Sequence, residues 1–184
     1  MDCFSFSGVA GDQIRVRLVE TSGTLVAQMT VQRPNGTTIC GPTTSTDLTC
    51  AQDTTGMHTI VIADSAGTNT GGYSIAIQRL NSPTGCTALT FGAAPTTGTI
   101  GVAAEMDCFS FSGIAGDQIR VRLVKTSGTL FPPQEVVRPN GTSICGPTTA
   151  TDVSCAIDTT GTYTIIVEDS AGTNLGGYTI QITT

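Results

Sequence analysis

Seven cysteines, one histidine and a recurring set of aspartates are the residues of this chain best suited to chemistry. The cysteines fall at Cys3, Cys40, Cys50, Cys86, Cys108, Cys145 and Cys155. No C-x-x-C pair and no Cys/His cluster occurs, so the ligand spacing of a zinc site is not met and disulfides are the expected use. The simplest connectivity is Cys40–Cys50, Cys145–Cys155 and Cys86–Cys108, which leaves Cys3 without a partner in the chain. Each short loop so closed should contribute about 2–3 kcal/mol in the chain-entropy model. Disulfides persist in oxidising surroundings, so the expected location is extracellular or on a cell surface.

The other reactive residues read more plainly. His58 is the only histidine, no Ser or Cys is marked as its nucleophile, and it reads as a packed strand residue rather than a catalytic base. No G-x-S-x-G, Walker or H-E-x-x-H pattern is present. The chain is therefore expected not to be an enzyme. The loops DSAGTN at Asp64–Asn69 and Asp169–Asn174 bring carboxylate, carbonyl and amide oxygens together, as a calcium site needs. Most such loops are turns in which Asp and Asn bond their own backbone, so calcium at Asp64, Asn69, Asp169 and Asn174 is the weaker expectation. Asn35-Gly36-Thr37 and Asn140-Gly141-Thr142 are N-glycosylation sequons as well as hairpin turns, which makes Asn35 and Asn140 candidates for glycans.

The cysteines and aspartates recur because the chain does. Residues 1–19 read MDCFSFSGVAGDQIRVRLV and residues 106–124 read MDCFSFSGIAGDQIRVRLV. The match continues without a gap at an offset of 105 to Arg79/Thr184, identical at about seven positions in ten. This implies tandem modules of one fold: a first repeat over 1–80, and a second over 81–184 made of a leading segment (81–105) and a repeat body (106–184). His58 aligns with Tyr163, and Met1 with the internal Met106, as expected of an internal residue rather than an initiator. Cys86 has no counterpart. Copy two is led by 81–105, for which copy one contains no equivalent, so the first module is expected to lack one or two leading strands.

The net charge of −6, with eight dispersed basic residues, argues against a nucleic-acid partner. No apolar run reaches the ~20 residues of a membrane span. Abundant Thr, Ser and Gly, no Trp and few charges suit short strands joined by tight turns. Alternation is clear in DCFSFSG, where Phe4 and Phe6 share a face, and in QIRVRLV, with Ile14, Val16 and Leu18 inward and Arg15 and Arg17 outward. A turn is expected at Thr21–Thr24, a strand from Leu25 to Gln32 and a Pro-Asn-Gly turn at 34–36. Thr37–Cys40 should be a strand ended by Gly41-Pro42, followed by strands at Leu48–Cys50 and Met57–Ala63. Tyr73, Ile75 and Ile77 supply a last inward face, and Cys86–Phe91 and Thr97–Val102 read as two further strands. The fold class is all-β: two tandem antiparallel β-sandwiches, Ig-like or jelly-roll-like.

The run DCFSFSG…GDQIRVRL, VQRPNGT and TTGMHTIVIADSAGTNTGGYSIAI resembles the bacterial pre-peptidase C-terminal (PPC) domain. Copy two fits better, with Gly161-Thr162-Tyr163 and Gly177-Tyr178, whereas copy one places Met57-His58 there. The resemblance implies a β-sandwich accessory module, not catalytic, attached to secreted enzymes or repeated in surface proteins. The expected function is a non-enzymatic structural subunit of an extracellular filament or surface array, joined head to tail by strand complementation with neighbouring copies or upstream repeats. The runner-up is a carbohydrate- or ligand-binding accessory module of a secreted enzyme. It is weakened because the aromatics have inward parity rather than the exposure that sugar stacking requires.

Overall fold

In a computed structural model describing Met1–Thr184, the period-two segments of both copies become strands and no helix forms. Accordingly, no helix is long and apolar enough to cross a membrane. The chain separates into two units, Met1–Arg79 and Leu80–Thr184.

The first unit contains β1 (Asp2–Gly8), β2 (Gln13–Gly23), β3 (Ala27–Gln32), β4 (Thr38–Thr43), β5 (Asp47–Ala51), β6 (Gly56–Asp64) and β7 (Gly71–Arg79). Its two sheets run β1-β6-β3-β4 and β5-β2-β7, all antiparallel. The inward residues Ile14, Val16, Leu18, Met29, Val31, Ile60 and Ile62 form the core between them. Burying each such side chain stabilises by about 1.5–3 kcal/mol.

The second unit contains β8 (Thr87–Ala88), β9 (Thr96–Ile100), β10 (Met106–Gly113), β11 (Gln118–Lys125), β12 (Gln134–Val137), β13 (Ser143–Thr148), β14 (Asp152–Ala156), β15 (Gly161–Glu168) and β16 (Gly176–Thr183). Its sheets run β13-β12-β15-β10-β8 and β14-β11-β16-β9. This is the sandwich of the first unit with one strand added to each sheet. β9 joins β16 antiparallel, and β8 joins β10 parallel, the one exception to antiparallel pairing. Ile100, Phe109, Phe111, Tyr163, Tyr178, Ile180 and Ile182 belong to its fully buried core.

Several local expectations are corrected. Gly41-Pro42 does not end its strand, because β4 runs on to Thr43 through a register shift against β3. Gly41 has φ +84°, and a side chain there would press on the Met29 carbonyl, so only glycine lets the two strands approach so closely. β2 continues through the expected Thr21–Thr24 turn to Gly23, pairing with Gly71 beyond an irregularity after Glu20. The strand expected over Cys86–Phe91 shrinks to two residues. Arg17, expected at the surface, is only 2% exposed, its guanidinium lying on the Asp47 carboxylate at 3.0 Å across the β2–β5 pair.

Candidate functional site

The units differ most at the outer edges of β1 and β7, where the first unit has no strand to match β8 and β9. The consequence can be read residue by residue at the 105-residue offset. Phe109 is 3% exposed and its counterpart Phe4 40%; Ile182 is 1% exposed and Ile77 42%. Phe6, Tyr73 and Ile75 are only partly buried, whereas Phe111, Tyr178 and Ile180 are fully buried. Ile77 was expected on an inward face. It is exposed instead and, unlike Tyr73 and Ile75 on the same strand, is not packed against the core.

The segment 86–105 accounts for the difference. Leu89 N–H donates to Ser110 O at 2.8 Å, and Gly92 N–H to Ile182 O at 3.0 Å, so the segment bonds both sheets. Phe91 sets its ring edge-on to Phe111 at 5.7 Å. On β9, Gly98 lies opposite Tyr178, and Ile100, opposite Gly176, enters the core. A methyl at Gly98 would sit 2.8 Å from Tyr178 Cε2 and closer still to Cζ and the hydroxyl, so the buried ring is accommodated only by glycine. The Tyr178 hydroxyl donates to Asp107 Oδ2 at 2.5 Å. Burial raises the Asp107 pKa, opposed by hydrogen bonds from Tyr178 and the Thr99 backbone.

The acceptor half of this arrangement is repeated in the first unit. Tyr73 donates to Asp2 Oδ2 at 2.6 Å, and its ring meets Phe4 edge-on at 6.4 Å, as Tyr178 meets Phe109 at 6.3 Å. Burial, followed by the Asp2 contact, lifts the Tyr73 hydroxyl to about 12. A cleft of about 210 Å³ opens at this edge, lined by Asp2, Leu25, Ile62, Asn69, Gly71 and Tyr73 among others.

The cysteines bracket the same edge. Cys40 is bonded to Cys50, Cys86 to Cys108 and Cys145 to Cys155; Cys3 is free and exposed. Cys108 faces outward on β10. The Cys86 bond ties the start of the segment there, beside a small outer cluster of Leu80, Val137, Ile166 and Met106. Leu80, which ends the first repeat by sequence, packs in the second unit, its carbonyl accepting from Thr164 Oγ1 at 3.1 Å.

The other candidates lie elsewhere. Asp64 accepts from the backbone of Val26, Thr68 and Asn69 and from Asn69 Nδ2, and these bonds hold its pKa down at about 2. Asp169 accepts from Phe131, Ala171, Thr173 and Asn174 in the same way. In both loops the carboxylate accepts from several N–H donors, the side-chain amide of the neighbouring Asn among them, the arrangement of a self-bonded turn; a calcium ion would have to displace these donors. Asn35 and Asn140 are exposed on their hairpins, each Oδ1 accepting from the Thr two residues on. His58 is fully buried, stacked on Phe6 at 5.4 Å, with Nδ1 3.1 Å from Gly56 O and Nε2 without a hydrogen-bond partner. Sequence reasoning missed that orphaned nitrogen and the Gly98–Tyr178 fit. The second carried a signal, a Gly between Thr97 and Thr99 in a strand, but its meaning depends on register.

No protein-family model and no curated protein sequence matches the chain. Among solved structures it is similar to the CUB1-EGF-CUB2 domains of human MASP-1/3, with 10% identity over 99% of this chain and 92% of that one and a TM-score of 0.27. For the CUB1-EGF-CUB2 domains of rat MASP-1 the values are 9%, 97%, 90% and 0.24. For the structure of infectious bursal disease virus Gt strain they are 14%, 98%, 55% and 0.20. At these TM-scores no functional residue is carried across, and the chain is an all-β protein of two β-sandwich units on its own strand pairing.

Proposed function

We propose that the chain is a non-enzymatic structural subunit of an extracellular filament or cell-surface repeat array, joined to its neighbours by strand complementation at the first unit. One observation carries the reading: the same acceptor surface is covered by segment 86–105 in the second unit and open in the first, with Phe4 and Ile77 40% and 42% exposed. Unpaired strand edges and exposed core side chains recruit a strand from elsewhere. A head-to-tail contact of this kind, between non-equivalent surfaces, builds an open array wherever its rotation does not close a ring. The three disulfides support an oxidising, extracellular setting. The PPC-like pattern of the sequence agrees with a surface module. The carbohydrate-binding reading gains little, since the exposed ring of Phe4 belongs to this edge rather than to a flat aromatic platform.

The test is the state of the protein isolated from its source without reductant. Electron microscopy should show filaments or regular surface arrays, and sedimentation should show large assemblies. Dispersed monomers with no higher-order form would refute the reading.

A further inference from the structure

The strand-complementation reading leaves the donor unspecified, but the second unit displays one seated donor atom by atom. Resting on that reading, we propose that the first unit's edge is a sequence-selective acceptor. Its occupant is a segment of the pattern Cys-x2-Leu-x-Phe-x6-Gly-x-Ile, set in one register by Tyr73 and locked by a disulfide to Cys3.

Each position of the pattern answers to a contact. In the second unit, β8 meets β10 with Thr87 opposite Phe109 and Ala88 opposite Ser110; the equivalent acceptors are Phe4 and Ser5. β9 meets Gly176–Ile180 antiparallel, which maps onto Gly71–Ile75. The pattern's Phe covers Phe6 as Phe91 covers Phe111. Its Ile enters beside Gly71, at the cleft that Gly71 and Tyr73 line. Its Gly lies across Tyr73, whose ring is held by the Asp2 hydrogen bond and by Phe4 as Tyr178 is held by Asp107 and Phe109. A slip by one residue would place a side chain on that ring and turn the Ile out of the core. The pattern's Cys then falls beside Cys3 as Cys86 falls beside Cys108.

The covalent step is thiol–disulfide exchange. A donor cysteine carried as a mixed disulfide with a small thiol such as glutathione is attacked by the Cys3 thiolate. The new S–S bond forms at the donor sulfur, the old one breaks, the small thiol leaves as its thiolate and is protonated, and the Cys3 proton goes to solvent.

The test uses the whole chain and a synthetic peptide with the sequence of residues 86–105, its cysteine carried as the glutathione mixed disulfide. Mass spectrometry reads peptide coupling at Cys3, and hydrogen exchange reads protection of β1 and β7. The native peptide should couple and protect both strands. The Gly98→Ala peptide should be roughly ten- to a hundredfold weaker. Tyr73→Ser in the chain should restore the Gly98→Ala peptide, whereas Tyr73→Phe, which keeps the ring, should not. A Cys86→Ser peptide should still protect β1 and β7 without coupling, which separates docking from chemistry. Equal coupling by the native and Gly98→Ala peptides would overturn the register and selectivity while leaving strand complementation standing. Coupling no faster than to an unstructured thiol, with no protection of either strand, would overturn the acceptor site itself.

Discussion

Truncating the same phenylalanine in each copy should have unequal costs, and the inequality measures how open the first unit is. Phe109 is 3% exposed, enclosed by β8 and β9, so Phe109→Ala should cost about 3–5 kcal/mol in transfer and cavity terms. Phe4 occupies the equivalent place but is 40% exposed. Much of its ring is already in water and truncation leaves a notch rather than a cavity, so Phe4→Ala should cost roughly 1–2 kcal/mol. The Ile77 and Ile182 pair, 42% and 1% exposed, should repeat the contrast. Denaturant-dependent hydrogen exchange of the whole chain reports each unit through its own peptides, so the two costs can be read in one molecule. The donor peptide should raise the cost at Phe4 towards that at Phe109. Equal costs at the two positions without any peptide would refute the argument that the first unit's edge is open in solution.

Other perturbations follow from the same geometry. His58→Tyr should stabilise the first unit by about 1–2 kcal/mol in thermal melts, because it replaces a buried unpartnered Nε2 with a hydroxyl placed to donate to the Thr54 carbonyl, as Tyr163 donates to its counterpart Thr159 O at 2.8 Å. Gly98→Ala should destabilise the second unit by about 1–3 kcal/mol through overpacking on Tyr178. Separate removal of Cys40–Cys50 and Cys145–Cys155 by Cys→Ser pairs should cost each unit about 3 kcal/mol, since each closes ten residues of separation. Asp53, paired with Arg33, and Asp64, bonded by loop amides, have pKa values lowered from 3.8 to about 2. Both are charged and stabilising above 3.8, so their contribution should be lost as pH falls towards 2; acid melts of Asp64→Asn should show a shallower loss over that window.

The layered all-β fold was legible because alternation specifies strands wherever one face is buried, as Ile14, Val16 and Leu18 illustrate. Strand extents were less so. Gly41-Pro42 reads as a terminator, yet a bulge accommodates it and β4 continues. Segment 86–91 reads as a strand by composition but contributes only a two-residue parallel pair and the Leu89 N–H bond to Ser110 O, while Cys86 goes to a disulfide and the Leu89 and Phe91 side chains pack against the core. The unmatched Cys86 pointed to one edge of the first module. That two edges are open, one on each sheet, needed the pairing of β8 and β9 to opposite layers. The requirement for glycine across Tyr178 depends on register and ring position, which no local pattern encodes.

Cys3 is the most direct reporter of the central claim, that the open edge of the first unit is closed by a strand from outside it. Non-reducing peptide mapping of the protein isolated in its assembled state, with free thiols blocked at lysis, identifies whatever cysteine is joined to it. The expected result is a disulfide from Cys3 to a cysteine followed at the same spacing by Leu, Phe, Gly and Ile, outside residues 1–79 of the same chain. Recovery of Cys3 as a blocked free thiol from intact assemblies would contradict the claim.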